Sequence, residues 1–172
     1  MPASLRRRTL LALGAGALAA PLMPRAALAA DPLEITWDDL VPPGTPWPEI
    51  AGQGVYDEVN DIWRPEWDEN GLKMNTAYDG KLIRMPGYII PMVSDSSGVT
   101  EFILVPYVGA CIHVPPPPPN QLVYVTTQEP WGSDDMWTAI WVTGLMEMEA
   151  RSTEIAEIGY RLTAQQIEEY QW

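Results

Sequence analysis

Cys111 and His113 are the only cysteine and the only histidine in 172 residues, and one residue separates them. A thiolate and an imidazole this close form a natural pair of ligands for zinc or copper. In an extended segment, side chains at i and i+2 point to one face, so the expected geometry is a shared metal site on a strand. Structural zinc takes four ligands. The others would come from carboxylates or from a partner chain, with Glu129, Asp134, Asp135, Glu147 and Glu149 as candidates. Two further readings stand beside this one. The pair could be a nucleophile and its base, which makes a thiol enzyme using Cys111 an alternative. It could also be a small buried cysteine and a hydrogen-bonded histidine. A single cysteine excludes an internal disulfide and any paired-cysteine redox or zinc-ribbon motif.

Five consecutive prolines, Pro115, Pro116, Pro117, Pro118 and Pro119, follow the pair, and then come Asn120 and Gln121. Such a run is a stiff polyproline II rod about 15 Å long, at about 3.1 Å per residue. It offers no amide donors and cannot join a sheet. One reading makes it a ridge that docks, with Asn120, Gln121 and the loop aromatic Trp131, on an aromatic groove of a partner. The other makes it a rigid loop that positions Asn120 and Gln121.

The elements that must carry this segment are mainly β. Residues 31–54 are rich in Pro and Trp and read as an extended arm ordered by its tryptophans. Val55, Val59, Ile62 and Trp63 at i, i+4, i+7 and i+8 predict a short amphipathic helix. From Lys81 the apolar period becomes two, with Gly87 beside Pro86 predicting a bend in the strand. Further strands are expected at Phe102–Tyr107, Leu122–Thr126, Trp137–Met146 and Ile158–Leu162. Thr163–Gln166 reads as a capping box opening a C-terminal helix. Trp137 and Trp141 are expected in the core. The domain over residues 55–172 should then be a small closed or partly open β-barrel, similar to an OB-fold, with short flanking helices. A β-sandwich is the alternative.

Charge limits what such a barrel could bind. Four of the ten basic residues lie in the first 30 positions, which hold no acid. The remaining 142 residues carry six basic and 23 acidic side chains, a net charge of −17. Phosphate neutralisation needs clustered Lys and Arg, so oligonucleotide binding is disfavoured. The acidic runs Asp57, Glu58, Asp61 and Glu66, Asp68, Glu69 match no calcium loop and read as a solvated face.

Residues 1–30 read as an export signal. Arg6, Arg7 and Arg8 precede a short apolar core, and Ala27-Leu28-Ala29 is an A-x-A cleavage site. The paired arginines before Thr9, Leu10 and Leu11 resemble a twin-arginine signal. The mature chain is expected to be soluble in the periplasm with no membrane anchor.

Three stretches together are similar to the signature of a bacterial exported family, domain of unknown function 3299. They are Trp37–Pro42, Gly87–Pro91, and Leu104 through Pro118 with Asn120 and Gln121. The resemblance spans roughly residues 33–170. It implies no enzymatic activity. It implies instead an accessory role beside an ABC exporter and permease set linked to zinc limitation. The expectation is a non-enzymatic periplasmic accessory protein that binds zinc at Cys111 and His113 or assists such a transporter. A metal-free interaction module is the alternative.

Overall fold

The computed structural model describes residues 31–59, 61–110 and 114–171. Among the described residues eight strands run in chain order: β1 Leu33–Glu34, β2 Val55–Asp57, β3 Ile62–Arg64, β4 Lys81–Asp95, β5 Gly98–Val105, β6 Val123–Trp131, β7 Ile140–Ser152 and β8 Glu157–Glu169. The helical residues described are short 3₁₀ turns.

Five strands close on themselves in the order β4-β5-β6-β8-β7, with β7 pairing back to β4. Only β6–β8 is parallel among these pairs. This is the connectivity of an OB-type Greek-key barrel, and its closure excludes the sandwich. β4 belongs to two ladders. Its first half, through Gly87, pairs with β7, and from Tyr88 it pairs with β5. Gly87 permits the corner, because a Cβ there would sit 2.7 Å from Leu104 Cγ and 2.9 Å from the Val105 carbonyl. β1 pairs in parallel with Ile83 and Arg84 of β4.

Alternation of side chains fills the barrel. Met85, Ile89, Phe102, Leu104, Val123, Val125, Val142 and Leu162 are fully buried inside it. The arm seals it with Ile35 and Leu40, aliphatics that do more of this work than the expected tryptophans: Trp37 packs partly, while Trp47 is exposed. A second buried cluster forms from the opposite faces of the same strands. Ile90, Ile103 and Tyr124 are register partners across β4, β5 and β6, and Ala110 from the loop after β5 packs among them.

Two expected helices are strands. Where a helix was expected over residues 55–63, β2 and β3 pair antiparallel, with Asp61 at φ +56° just before β3. Val55 and Val59 are exposed, so their helical spacing marked no buried face. At the C-terminus β8 runs through Thr163–Gln166, because Tyr160, Leu162 and Ala164 continue an inward alternation. Trp137 is 66% exposed, against the expectation of core, and Trp131 packs on the barrel interior instead. The reason is register: β6 extends to Trp131, which pairs with Val99, whereas Trp137 precedes the start of β7.

Candidate functional site

Cys111 and His113 lie outside the described residues, and only the chain on either side of them is described. The flanks are not a strand. β5 ends at Val105, the backbone turns at Gly109 with φ +79°, and the Val114 amide donates to the Gly109 carbonyl at 3.1 Å. Ala110 and Val114 form an isolated bridge. The chain therefore enters and leaves the Cys-Ile-His stretch at neighbouring points, and Ala110 anchors the entry in the second apolar cluster.

The proline run follows at once. Pro118 has φ −61° and ψ 154°, the polyproline II conformation. Pro115 is exposed, but Pro116 through Pro119 are buried. An outward ridge is thus not what the chain presents. The rod lies against its own domain and leads directly into Asn120 and Gln121. Both are buried, at the 3₁₀ turn Pro119–Gln121. Asn120 Nδ2 donates to the carbonyls of Asn70 (2.9 Å) and Lys73 (3.1 Å). Gln121 Nε2 donates to the carbonyls of Trp37 (3.0 Å) and Asn120 (3.0 Å). The two amides thus stitch the arm and residues 70–73 to the barrel. Asn120 Oδ1 is buried and has no hydrogen-bond partner among the described residues.

The rod forms one wall of a groove of ≈ 200 Å³. Pro116, Pro117, Trp67, Leu72 and Ile155 line it, with Arg64 and Glu157 among its polar residues. Arg64 is held by Asp57 Oδ2 at 3.2 Å and donates to the Glu154 carbonyl, which ties the hairpin to the β7–β8 loop. Glu157 accepts from Ser152 Oγ at 2.5 Å. Leu72 is 61% exposed, so the groove opens to solvent on an apolar side. No sequence signal singled out Trp67, at an isolated bridge to Ile50, Leu72, at the end of a 3₁₀ turn, or Ile155, in a bend, because they become neighbours of the prolines only through the tertiary fold.

The candidate carboxylates lie on described strands and loops of the barrel. Glu129 is exposed near the end of β6 that carries Trp131, and Asp134 and Asp135 follow it in a loop. Residues 106–110 leave the opposite end of the β5–β6 ladder, beyond the Leu104–Val123 pair. Asp134 lines a polar cleft with Ser94–Val99. Asp135 is held below the usual carboxylate range by hydrogen bonds from Thr138 Oγ1 (2.6 Å) and the Trp137 amide (2.9 Å). Glu147 and Glu149 pair with Arg161 at 3.8 and 3.4 Å, and Glu149 also with Arg151 at 3.8 Å. Among the described residues no group of three or more metal-ligating side chains converges. The acidic runs are engaged in structure: Asp68 caps a 3₁₀ turn through the amides of Asn70 and Gly71, and Asp57 pairs with Arg64. Among the described residues no helix is long and apolar enough to cross a membrane.

Residues 37–169 match the profile of a family described as a protein of unknown function (DUF3299). The crystal structure of a DUF3299 family protein from Pseudomonas aeruginosa PAO1 is similar at 36% sequence identity and a TM-score of 0.66. The similarity covers 82% of this chain and 97% of that one. No curated protein matches the chain.

Proposed function

The chain belongs to the DUF3299 family, and on that premise we propose that it is an exported, non-enzymatic accessory protein that docks a partner protein beside its polyproline segment. The observation that carries this reading is the groove between Pro116, Pro117, Trp67, Leu72 and Ile155. Its ≈ 200 Å³ is below the roughly 300–1,000 Å³ of small-molecule sites, so it suits one or two apolar side chains of a protein. Its walls are rigid, since prolines have little freedom to lose, and that lowers the entropic cost of docking. The partner proposed is the periplasmic face of an ABC-transporter complex. A photocrosslinking residue at Leu72 should give a discrete adduct with a subunit of that complex in cells. The same residue at Val59, exposed on the hairpin, should give none. Equal adducts at both positions, or none at Leu72, would exclude the groove as the docking site.

A second reading concerns zinc at Cys111 and His113. It is supported by the Ala110–Val114 bridge, which pins both ends of the intervening stretch. On this reading the chain supplies two ligands and the docked partner completes the set. Metal analysis of the mature protein should show zinc uptake that Cys111→Ser and His113→Ala each remove. Absence of any zinc affinity, with and without the transporter subunit, would sink it.

A further inference from the structure

A second groove lies at the corner of β4. Trp37, Pro86, Tyr88, Pro106, Ala139 and Tyr170 enclose ≈ 190 Å³ with no charged side chain in the walls. It draws on all three stretches that the sequence singled out: Trp37 from the first, Tyr88 from the second and Pro106 from the third. Its rings are held in place by the fold. The Trp37 carbonyl accepts from Gln121. The Tyr170 amide donates to the Ala139 carbonyl at 2.9 Å. The Tyr170 ring stacks on Trp141 with centroids 5.1 Å apart, and the Arg84 guanidinium covers the Trp141 ring at 3.9 Å.

That stack links the groove to a second cleft. Trp141 lines it together with Arg84, Glu168, Glu169 and Gln171, around ≈ 410 Å³. The guanidinium of Arg84 is already met by Glu34 at 2.9 Å and Glu168 at 3.6 Å. Glu169 adds a further exposed carboxylate, so the cleft is anionic.

We infer that the aromatic groove and its acidic neighbour together bind a proline-bearing extended segment of another protein, flanked by Arg or Lys. Pyrrolidine rings are rigid and apolar and pack on aromatic faces. A polyproline II strand loses little entropy on docking and presents only carbonyl acceptors. Indole N–H and phenol O–H are the donor types that meet such carbonyls, and Trp37 and Tyr88 both line the groove. The carboxylates of the second cleft select the basic flank, and the net charge of −17 speeds encounter with a basic peptide. This inference stands apart from the docking groove of the polyproline wall and does not depend on it.

The test titrates mature protein into a fluorescein-labelled peptide, Arg-Ala-Leu-Pro-Pro-Leu-Pro, and follows anisotropy. Saturable binding is expected, and replacing the prolines with alanine should weaken it about tenfold or more. Tyr88→Ala should weaken both the Arg peptide and a version with Arg replaced by Gln. Glu169→Lys, at an exposed position, should weaken only the Arg peptide. Equal binding of the alanine peptide, or no binding at about 1 mM, would overturn the inference. Indifference to Glu169→Lys would overturn the basic flank even if Tyr88→Ala failed to fold. So would self-association of the protein that shields Tyr88 and excludes the peptide, since a second copy would then be the occupant.

Discussion

At the scale of single residues, buried polar groups fasten the arm to the barrel. The Tyr160 hydroxyl is fully buried, donates to the Leu40 carbonyl at 2.8 Å and accepts from the Asn75 amide at 2.6 Å. Tyr160→Phe leaves both backbone groups unpaired and should cost about 1–3 kcal/mol in urea unfolding. Burial pushes the Tyr160 phenol up to about 12, against about 10 in an unfolded chain. Below pH 10 both states keep the proton and the contribution is whole. Between about 10 and 12 the unfolded state releases it first, so stability falls as pH rises. Alkaline unfolding curves should show this slope in the wild type, and the Phe variant should lack that part of it. Asn120 supplies a stricter test. Its amide donates twice to carbonyls, so the isosteric Asn120→Asp sets a carboxylate against two acceptors in a buried site. It should cost about 3 kcal/mol or more, while a neutral exposed substitution such as Val59→Thr should not register on the same thermal melt.

At the scale of elements, the β4 corner decides the architecture. Gly87 is the last residue paired to β7 and Tyr88 the first paired to β5. Gly87→Ala should lower thermal stability by about 1–3 kcal/mol through overpacking against Leu104, with little change in far-UV circular dichroism. This corner was legible in the sequence, because alternation from Lys81 and the Pro86-Gly87 pair both report local backbone geometry. The succession of five barrel strands along the chain was legible for the same reason, though not their pairing. The β2–β3 hairpin was not, since Val55, Val59, Ile62 and Trp63 satisfy a helical period although Val55 and Val59 are exposed. The strand through Thr163–Gln166 was missed because a capping pattern is local, whereas the parallel pairing of β6 and β8 that sets this strand is long-range. The proline segment stood out in the sequence, but the residues that share its groove did not: Trp67 and Leu72 come from one part of the chain and Ile155 from another.

At the scale of the whole molecule, charge and connectivity dominate. Arg64, Arg84, Arg151 and Arg161 all sit in ion pairs, so the described surface has little cationic charge left to offer an anion. The surplus carboxylates repel one another. Raising NaCl from about 10 mM to about 150 mM shortens the screening length from about 30 Å to about 8 Å. The melting temperature of the mature protein should rise over that interval. A fall would mean that its ion pairs outweigh the repulsion.

β1 has a kinetic consequence. Leu33 and Glu34 find their partners fifty residues away, at Ile83 and Arg84, and the Ile35 amide completes the strip at 3.0 Å from the Arg84 carbonyl. Such a graft can form only after β4 has taken its place, so the arm is the last piece to assemble and the first to peel away. In native-state hydrogen exchange the Ile35 amide should open at lower free energy than Phe102 in the barrel wall. The barrel would then persist with its leading end released, as a latch opens while the box stays shut.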